Sequence, residues 1–316
     1  MVRRISKLAA MAVLAGAFGL AGMASLRADP APAAKPDADA LAAMASSLKW
    51  QTGTITLKDG LATINLTDDF RFLGNADARK VLHDIWGNPD DPDILGMIFP
   101  KDRGPLDDNT WAVTVNYEDG GYMKDDDADK IDYTDMLKKM QQEASDTNPE
   151  REKEGYPSIE LVGWAAQPHY DKATHKLYWA KELHFGESPE HTLNYDIRIL
   201  GRHGWLVLSA IAVMNQLPEI DGKVPGILSM VDFQPGNTYA DFDPKVDKIA
   251  EYGLATLIAG GALAGAAKLG LLGGLWKFIL VGGAAAWKFI LAGAVAVGAA
   301  VKKFWGKVTG KDGRDS

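Results

Sequence analysis

The chain has 316 residues, 47% of them hydrophobic, and no cysteine, which excludes disulfide stapling and leaves one or two domains stabilised by an ordinary apolar core. Residues 1–28 carry four basic and no acidic residues and residues 254–316 eight basic against two acidic, so the remaining 22 basic and 40 acidic residues give positions 29–253 a net charge of −18. A field of that sign excludes nucleic acid as a partner and suits cationic partners, divalent ions or simple solubility.

The N-terminus, MVRRISKLAAMAVLAGAFGLAGMASLRADPAPA, places Arg3, Arg4 and Lys7 before an apolar run from Leu8 to about Met23. This order is that of a secretory signal, with a small-x-small site at Gly22-Met23-Ala24, so a signal peptide is expected over 1–24. An uncleaved signal anchor is the alternative. The Pro/Ala-rich stretch that follows reads as a linker over 25–45.

Within that linker Asp39 can cap a short helix carrying Leu41, Met44 and Leu48. Gly53 to Leu57 and Leu61 to Leu66 alternate around Lys58-Asp59-Gly60 and predict a β-hairpin. Asn75 is placed to cap a helix with Val81, Leu82, Ile85 and Trp86 on one face, ended by Gly87-Asn88-Pro89. Strands are expected at Ile94 to Phe99 and Trp111 to Tyr117, then a charged helix at about Tyr133 to Ser145.

Four strands follow: Ile159 to Trp164, His175 to Phe185, Thr192 to Leu200 and Trp205 to Val213. Leu177, Trp179 and Leu183 alternate in the second, and Leu193, Tyr195, Ile197 and Ile199 in the third, as in half-buried antiparallel sheet. A last helix puts Leu217, Ile220, Val224, Ile227, Leu228 and Val231 toward a core. The fold class is therefore α+β, a mainly antiparallel sheet flanked by helices and followed by a membrane-associated helical tract. The exported acidic domain is assigned to 46–243 and a connecting helix to 244–253.

From Leu254 to Val301 the chain is apolar except for Lys268, Lys277 and Lys288, and this tract is expected to be a membrane anchor over 254–305, ahead of a basic tail at 306–316. Trp276, Lys277, Trp287, Lys288, Lys302, Lys303 and Trp305 are the residues expected at the membrane interfaces, where aromatic rings and long basic stems are favoured. The two WKFIL copies lie eleven residues apart, about three helical turns, so both lysines reach one interface only if the helix lies flat or turns at Gly282-Gly283. Tyr252 to Trp276 and Trp287 to Trp305 are the two candidate crossings, and the five basic residues of the closing stretch KKFWGKVTGKDGRDS, Lys302 to Ser316, favour a single one. Gly261, Gly265, Gly270 and Gly274 form two GxxxG spacings through which helices could associate as a homo-oligomer.

Candidate chemistry is sparse. Asp125, Asp127 and Asp129 alternate as in a calcium loop, but Lys130 and Met136 stand where that loop needs Gly and Glu, so the acids are expected to cap the following helix. His169 and His175 bracket a turn that would bring them close across two strands, with Asp171 between them, yet two imidazoles are half of a zinc shell. The other histidines, His83, His184, His191 and His203, show no metal spacing. Ser46-x-x-Lys49 has no partner motif, and there is no nucleophile elbow or phosphate loop. No catalytic residue and no cofactor are expected.

The stretches GYMKDDDADKIDY, GYPSIELVGWAAQPHYD, LNYDIRILGRHG and YADFDPKVDKIAEYGLATLIAGG, in that order between Gly121 and Gly261, resemble a bacterial membrane-anchored family of unknown function, DUF2167. The resemblance implies an exported domain with a C-terminal anchor and supplies no catalytic residues. The order of strands and helices resembles, at fold level only, the PsbP/Mog1 sandwiches, which serve mostly as binding or assembly modules. The resulting expectation is an exported protein on the periplasmic face of a bacterial cytoplasmic membrane, in contact with the lipid bilayer and an envelope protein, with a non-catalytic binding or assembly role. The alternatives are a membrane-tethered hydrolase or divalent-metal enzyme, and a tract that oligomerises or remodels the membrane.

Overall fold

A computed structural model describes residues 38–88, 90–153 and 157–260. In chain order these form α1 (Ala38–Ser46), β1 (Thr54–Leu57), β2 (Ala62–Asn65), β3 (Phe70–Gly74), α2 (Asn75–Arg79), β4 (Gly96–Pro100), β5 (Ala112–Glu118), α3 (Tyr133–Lys153), β6 (Ile159–Asp171), β7 (Lys176–Phe185), β8 (Thr192–Leu200), β9 (Trp205–Val213), α4 (Leu217–Met230), β10 (Val231–Phe233) and α5 (Leu254–Ala259). Seven strands make one antiparallel sheet in the order β3-β4-β5-β9-β8-β7-β6, and β1-β2-β10 make a second, smaller one. The α+β class follows directly.

Alternation along the strands sorts the large sheet into two faces. Phe72, Ile98, Val113, Leu193, Tyr195, Ile197, Leu206 and Leu208 lie on one face, in one core with the small sheet and α4. The α4 residues Ile220, Val224, Ile227 and Met230 are all buried there, each adding about 1.5–3 kcal/mol of apolar burial. The opposite face carries two separate cores. Leu177, Trp179, Leu183, Trp205 and Val207 pack with α3 and α5, while Leu73, Met97, Phe99 and Ala112 pack with α2 and its continuation.

Lys176 ties the halves of the first core together. It is only 8% exposed, and its Nζ donates to Leu228 O at 2.5 Å, Val231 O at 3.0 Å and Asp232 Oδ1 at 2.8 Å. Leu228 O, one of the last α4 carbonyls that have no partner within the helix, and Val231 O just beyond it are thereby satisfied.

Both outer strands of the large sheet have part of their edge occupied, the start of β6 by side chains and β3 by backbone. Along β6, Gln141 donates to Leu161 O and Val162 O at 3.1 and 3.2 Å, and Asn148 both donates to Ile159 O and accepts from its N–H. Beyond β3, Gln51 and Phe72 exchange two backbone hydrogen bonds of 2.9 Å.

Several elements depart from the sequence expectation. Asn75 does not cap α2; Gly74 occupies that position, and the Asn75 amide instead donates to Pro92 O and Ile94 O. The helix then widens over Lys80–Ile85, with Trp86 N–H reaching Val81 O. α3 runs past Pro149 to Lys153 because Asn148 and the buried Arg151 anchor its last turns to residues 157–159, outweighing the missing proline N–H. β6 reaches Asp171, seven residues beyond Trp164, through register shifts that scramble its alternation. Val231 opens a strand rather than closing a helix.

Residues 244–253, expected as a connecting helix, form turns and an isolated parallel bridge between Tyr122 and Ile249. Asp247 enforces this path by accepting from Asp243 N–H and from two guanidinium nitrogens of Arg202. Leu254, Ile258 and Ala259, the first apolar residues of the expected anchor, are buried in the core under α3. Among the described residues no helix is long and apolar enough to cross a membrane. The signal peptide, Gly261, Gly265, Gly270, Gly274, Trp276, Lys277, Trp287, Lys288, Lys302, Lys303 and Trp305 lie outside the described residues.

Candidate functional site

Two of the five acid and histidine candidates meet in one place. The β6–β7 turn is held by Asp171, whose carboxylate accepts from Ala173 N–H and Thr174 Oγ at 2.9 and 2.7 Å, the backbone role that turns commonly give Asp. His175 leaves the turn with φ at 54°, in the left-handed region where His is one of the residues tolerated. There Tyr170 Oη donates to Asp125 Oδ2 at 2.8 Å and lies 3.0 Å from His175 Nδ1. The single phenolic proton is committed to the carboxylate, so His175 Nδ1–H must donate to the Tyr170 oxygen, which sets the tautomer with Nε2 bare.

An aromatic ladder backs this relay. Phe242 stacks on Tyr122 at 3.8 Å, Tyr122 lies 4.5 Å from Tyr239, and Tyr239 stacks on His175 at 3.8 Å. Tyr239 Oη donates to Met123 O at 2.9 Å. Burial pushes the His175 imidazolium pKa down, against the opposing pull of Asp125 and Asp171, and favours the neutral ring. Burial, reinforced by Asp125, pushes the Tyr170 hydroxyl far above its ordinary range, so it stays protonated.

The remaining candidates go elsewhere. His169 does not meet His175: the register pairs it with Tyr178, and its ring lies 5.2 Å from that tyrosine. Because β6 and β7 close at Asp171 and Lys176, residue 169 faces a point three residues beyond His175. The acid loop does not cap α3 either. Asp132 does, accepting from Thr134 N–H and Asp135 N–H at 2.9 Å each. Asp127 instead faces the start of α5, 3.4 Å from Leu254 N and from Ala255 N. Gly253 makes that approach available, since a Cβ there would stand 2.5 Å from Asp127 Oδ2. Asp129 is exposed. Among the described residues no three His, Asp or Glu side chains are disposed to hold a metal ion.

Taken together these contacts form a clamp. Tyr122 pairs its backbone with Lys248 O and Ala250 N–H at 2.8 Å each, Gly121 holds φ at 95° with room for no Cβ against Lys248 O, and Asp127 meets α5. The acid loop therefore grips the chain from Tyr239 to Ala255, the approach to the C-terminal tract. Tyr122, Tyr170, Tyr239 and Phe242 were not singled out by sequence reasoning, although the latter two form an i, i+3 aromatic pair in YADFDP.

A second polar assembly lies on the middle strands, on the face carrying α3 and α2. Asp196 is 4% exposed and accepts from Ser209 Oγ at 2.7 Å, with Arg198 Nη1 at 3.3 Å and Lys181 Nζ at 3.5 Å. Burial pushes its carboxyl pKa up, but the two cations and the hydroxyl outweigh burial and hold it below the ordinary range. The signal for it was present: Asn194, Asp196 and Arg198 alternate with the apolar residues of β8.

The sequence profile of the family described as "Protein of unknown function (DUF2167)" matches residues 49–298. No curated protein matches. Among solved structures, the chain is similar to the cyanobacterial PsbP from Synechocystis sp. PCC 6803, at 9% identity and a TM-score of 0.32 over 58% of this chain and 92% of that one. It is also similar to LpqN, involved in cell envelope biogenesis of Mycobacterium tuberculosis, at 12% identity and a TM-score of 0.29 over 61% and 96%. The Saccharomyces cerevisiae Ran-binding protein Mog1p matches at 11% identity and a TM-score of 0.31 over 59% and 96%.

Proposed function

The chain belongs to the DUF2167 family, and we propose that it acts as a non-catalytic binding or assembly module of the bacterial cell envelope, its acidic domain exported and held at the outer face of the cytoplasmic membrane by the tract beyond residue 260. The clamp is the observation that carries this reading. The acidic and aromatic residues that an enzyme would keep for substrate are engaged by the protein's own backbone and rings, and they secure the approach to the apolar tract. A domain that transmits position from an anchor to a partner needs such a stiff root, because a loose tether would leave the bound partner's orientation to chance. The bilayer is one partner in this reading and an envelope protein the other, and a membrane-embedded homo-oligomer is compatible with it.

Reporter fusions test the topology. A reporter active only in the cytoplasm is expected to work when fused after Ser316 and to be silent when fused near Asp243. Activity at Asp243 would overturn the export of the domain. A periplasm-only reporter active at Ser316 would replace the single crossing with a two-crossing hairpin.

A further inference from the structure

The opposite end of β7 from the clamp gathers a different set of ligating groups. His184 and His191 face each other across the β7–β8 hairpin, one step beyond the Leu183–Thr192 pair, with ring centroids 4.8 Å apart. Glu160 is the cross-strand partner of His184 on β6. Glu182 lies two residues before His184 and so on the same face of the strand.

The hydrogen bonds define which nitrogen of each ring is available. His184 Nε2 is 2.8 Å from Ser188 O; a carbonyl only accepts, so Nε2 carries the hydrogen and, in the neutral ring, Nδ1 holds the lone pair. That Nδ1 is 3.6 Å from Glu160 Oε2. His191 Nδ1 is 2.5 Å from Glu182 Oε1, which places the hydrogen on Nδ1 and leaves Nε2 bare. Both rings thus donate one N–H to an oxygen and keep the other nitrogen as a base, the arrangement in which ligating histidines are oriented in metal sites.

We propose that His184 Nδ1, His191 Nε2 and the Glu160 carboxylate bind one divalent transition-metal ion, of the zinc class, with water in the fourth position and Glu182 and the Ser188 carbonyl orienting the rings. Two imidazoles and one carboxylate with an open position form an established zinc donor set. Tetrahedral bonds of about 2.0–2.2 Å put neighbouring donor atoms about 3.3–3.6 Å apart, which the 3.6 Å between His184 Nδ1 and Glu160 Oε2 meets. The site is not preformed, since no three ligands among the described residues already surround one point. Closing it falls to Glu160, whose side chain is 70% exposed and turns without disturbing the core. Imidazole and carboxylate donors suit zinc, copper or nickel and disfavour calcium and magnesium, which take oxygen alone. This inference does not depend on membrane topology.

Cobalt(II) is the probe. Full-length protein, purified in detergent and stripped with a chelator, is expected to bind one Co2+ per chain with the intense visible bands of tetrahedral coordination, and one equivalent of Zn2+ is expected to displace it. His191→Ala and Glu160→Gln are each expected to weaken Co2+ binding at least tenfold with the far-UV spectrum unchanged. Glu160 is solvent-exposed, so its variant keeps the test valid if His191→Ala does not fold. Absence of stoichiometric Co2+, or a loss of less than tenfold in folded Glu160→Gln, overturns the proposal.

Discussion

Replacing Lys176 with methionine separates the packing of its stem from the work of its ammonium. Met fills much the same apolar volume, but Leu228 O, Val231 O and Asp232 each lose a donor. Asp232 is 62% exposed on its side chain and rehydrates. Val231 O is buried, and an acceptor left bare there costs about 1–3 kcal/mol, with Leu228 O adding a smaller share. Losing a cation at the end of α4 adds about 0.3–1 kcal/mol, while relief from burying an ammonium offsets part of the total. The expected loss is about 2–4 kcal/mol. Urea unfolding of the full-length protein, followed by tryptophan fluorescence, should show a midpoint lowered by roughly 1 M at unchanged slope, for a slope of about 2–3 kcal/mol/M. Lys172→Met, at an exposed turn position, should stay within about 0.5 kcal/mol. A Lys176→Met cost as small as that of the control would refute the claim that this lysine joins β7 to α4 and β10.

Asp196→Asn should cost about 3–5 kcal/mol at neutral pH, because Lys181 and Arg198 lose the anion between them. The Asp196 carboxyl pKa is depressed in the fold, so its stabilisation is fully present above the unfolded value of about 3.9 and is lost as pH falls through the lower folded value. Urea midpoints measured from pH 7 downward should therefore fall less steeply below about pH 4 in the variant; an unchanged acid limb would contradict the assignment. Asp132→Ala should cost about 1 kcal/mol as a lost helix cap, whereas Asp129→Ala should stay within about 0.5 kcal/mol. The reverse order in thermal or urea melts would return the capping role to the acid loop.

Alternation and helical spacing made much of the architecture legible. Leu193, Tyr195, Ile197 and Ile199 do share one buried face, as do Leu177, Trp179 and Leu183, and Ile220, Val224 and Ile227 do face the core. A period of two assigns residues to faces without saying what covers each face. Hence Asp196 and Arg198, on alternate positions that read as solvent-facing, turned out to be buried and half-buried, with the Arg198 guanidinium over the Trp179 ring. The bulges in β6 broke its period and hid its second half.

Composition, charge placement and periodicity, which are properties of neighbouring residues, determined the α+β class, the strand sequence and the apolar face of α4. Tertiary structure decided the partners of the polar groups. Asp127 meets amides 127 and 128 residues away in sequence, Tyr239 stacks on His175 from across the chain, and His184 meets His191 only because the β7–β8 register sets them opposite one another. A polar side chain takes whichever donor or acceptor the packed backbone brings within about 3 Å, and that distance is set by the docking of whole elements, which local sequence does not encode.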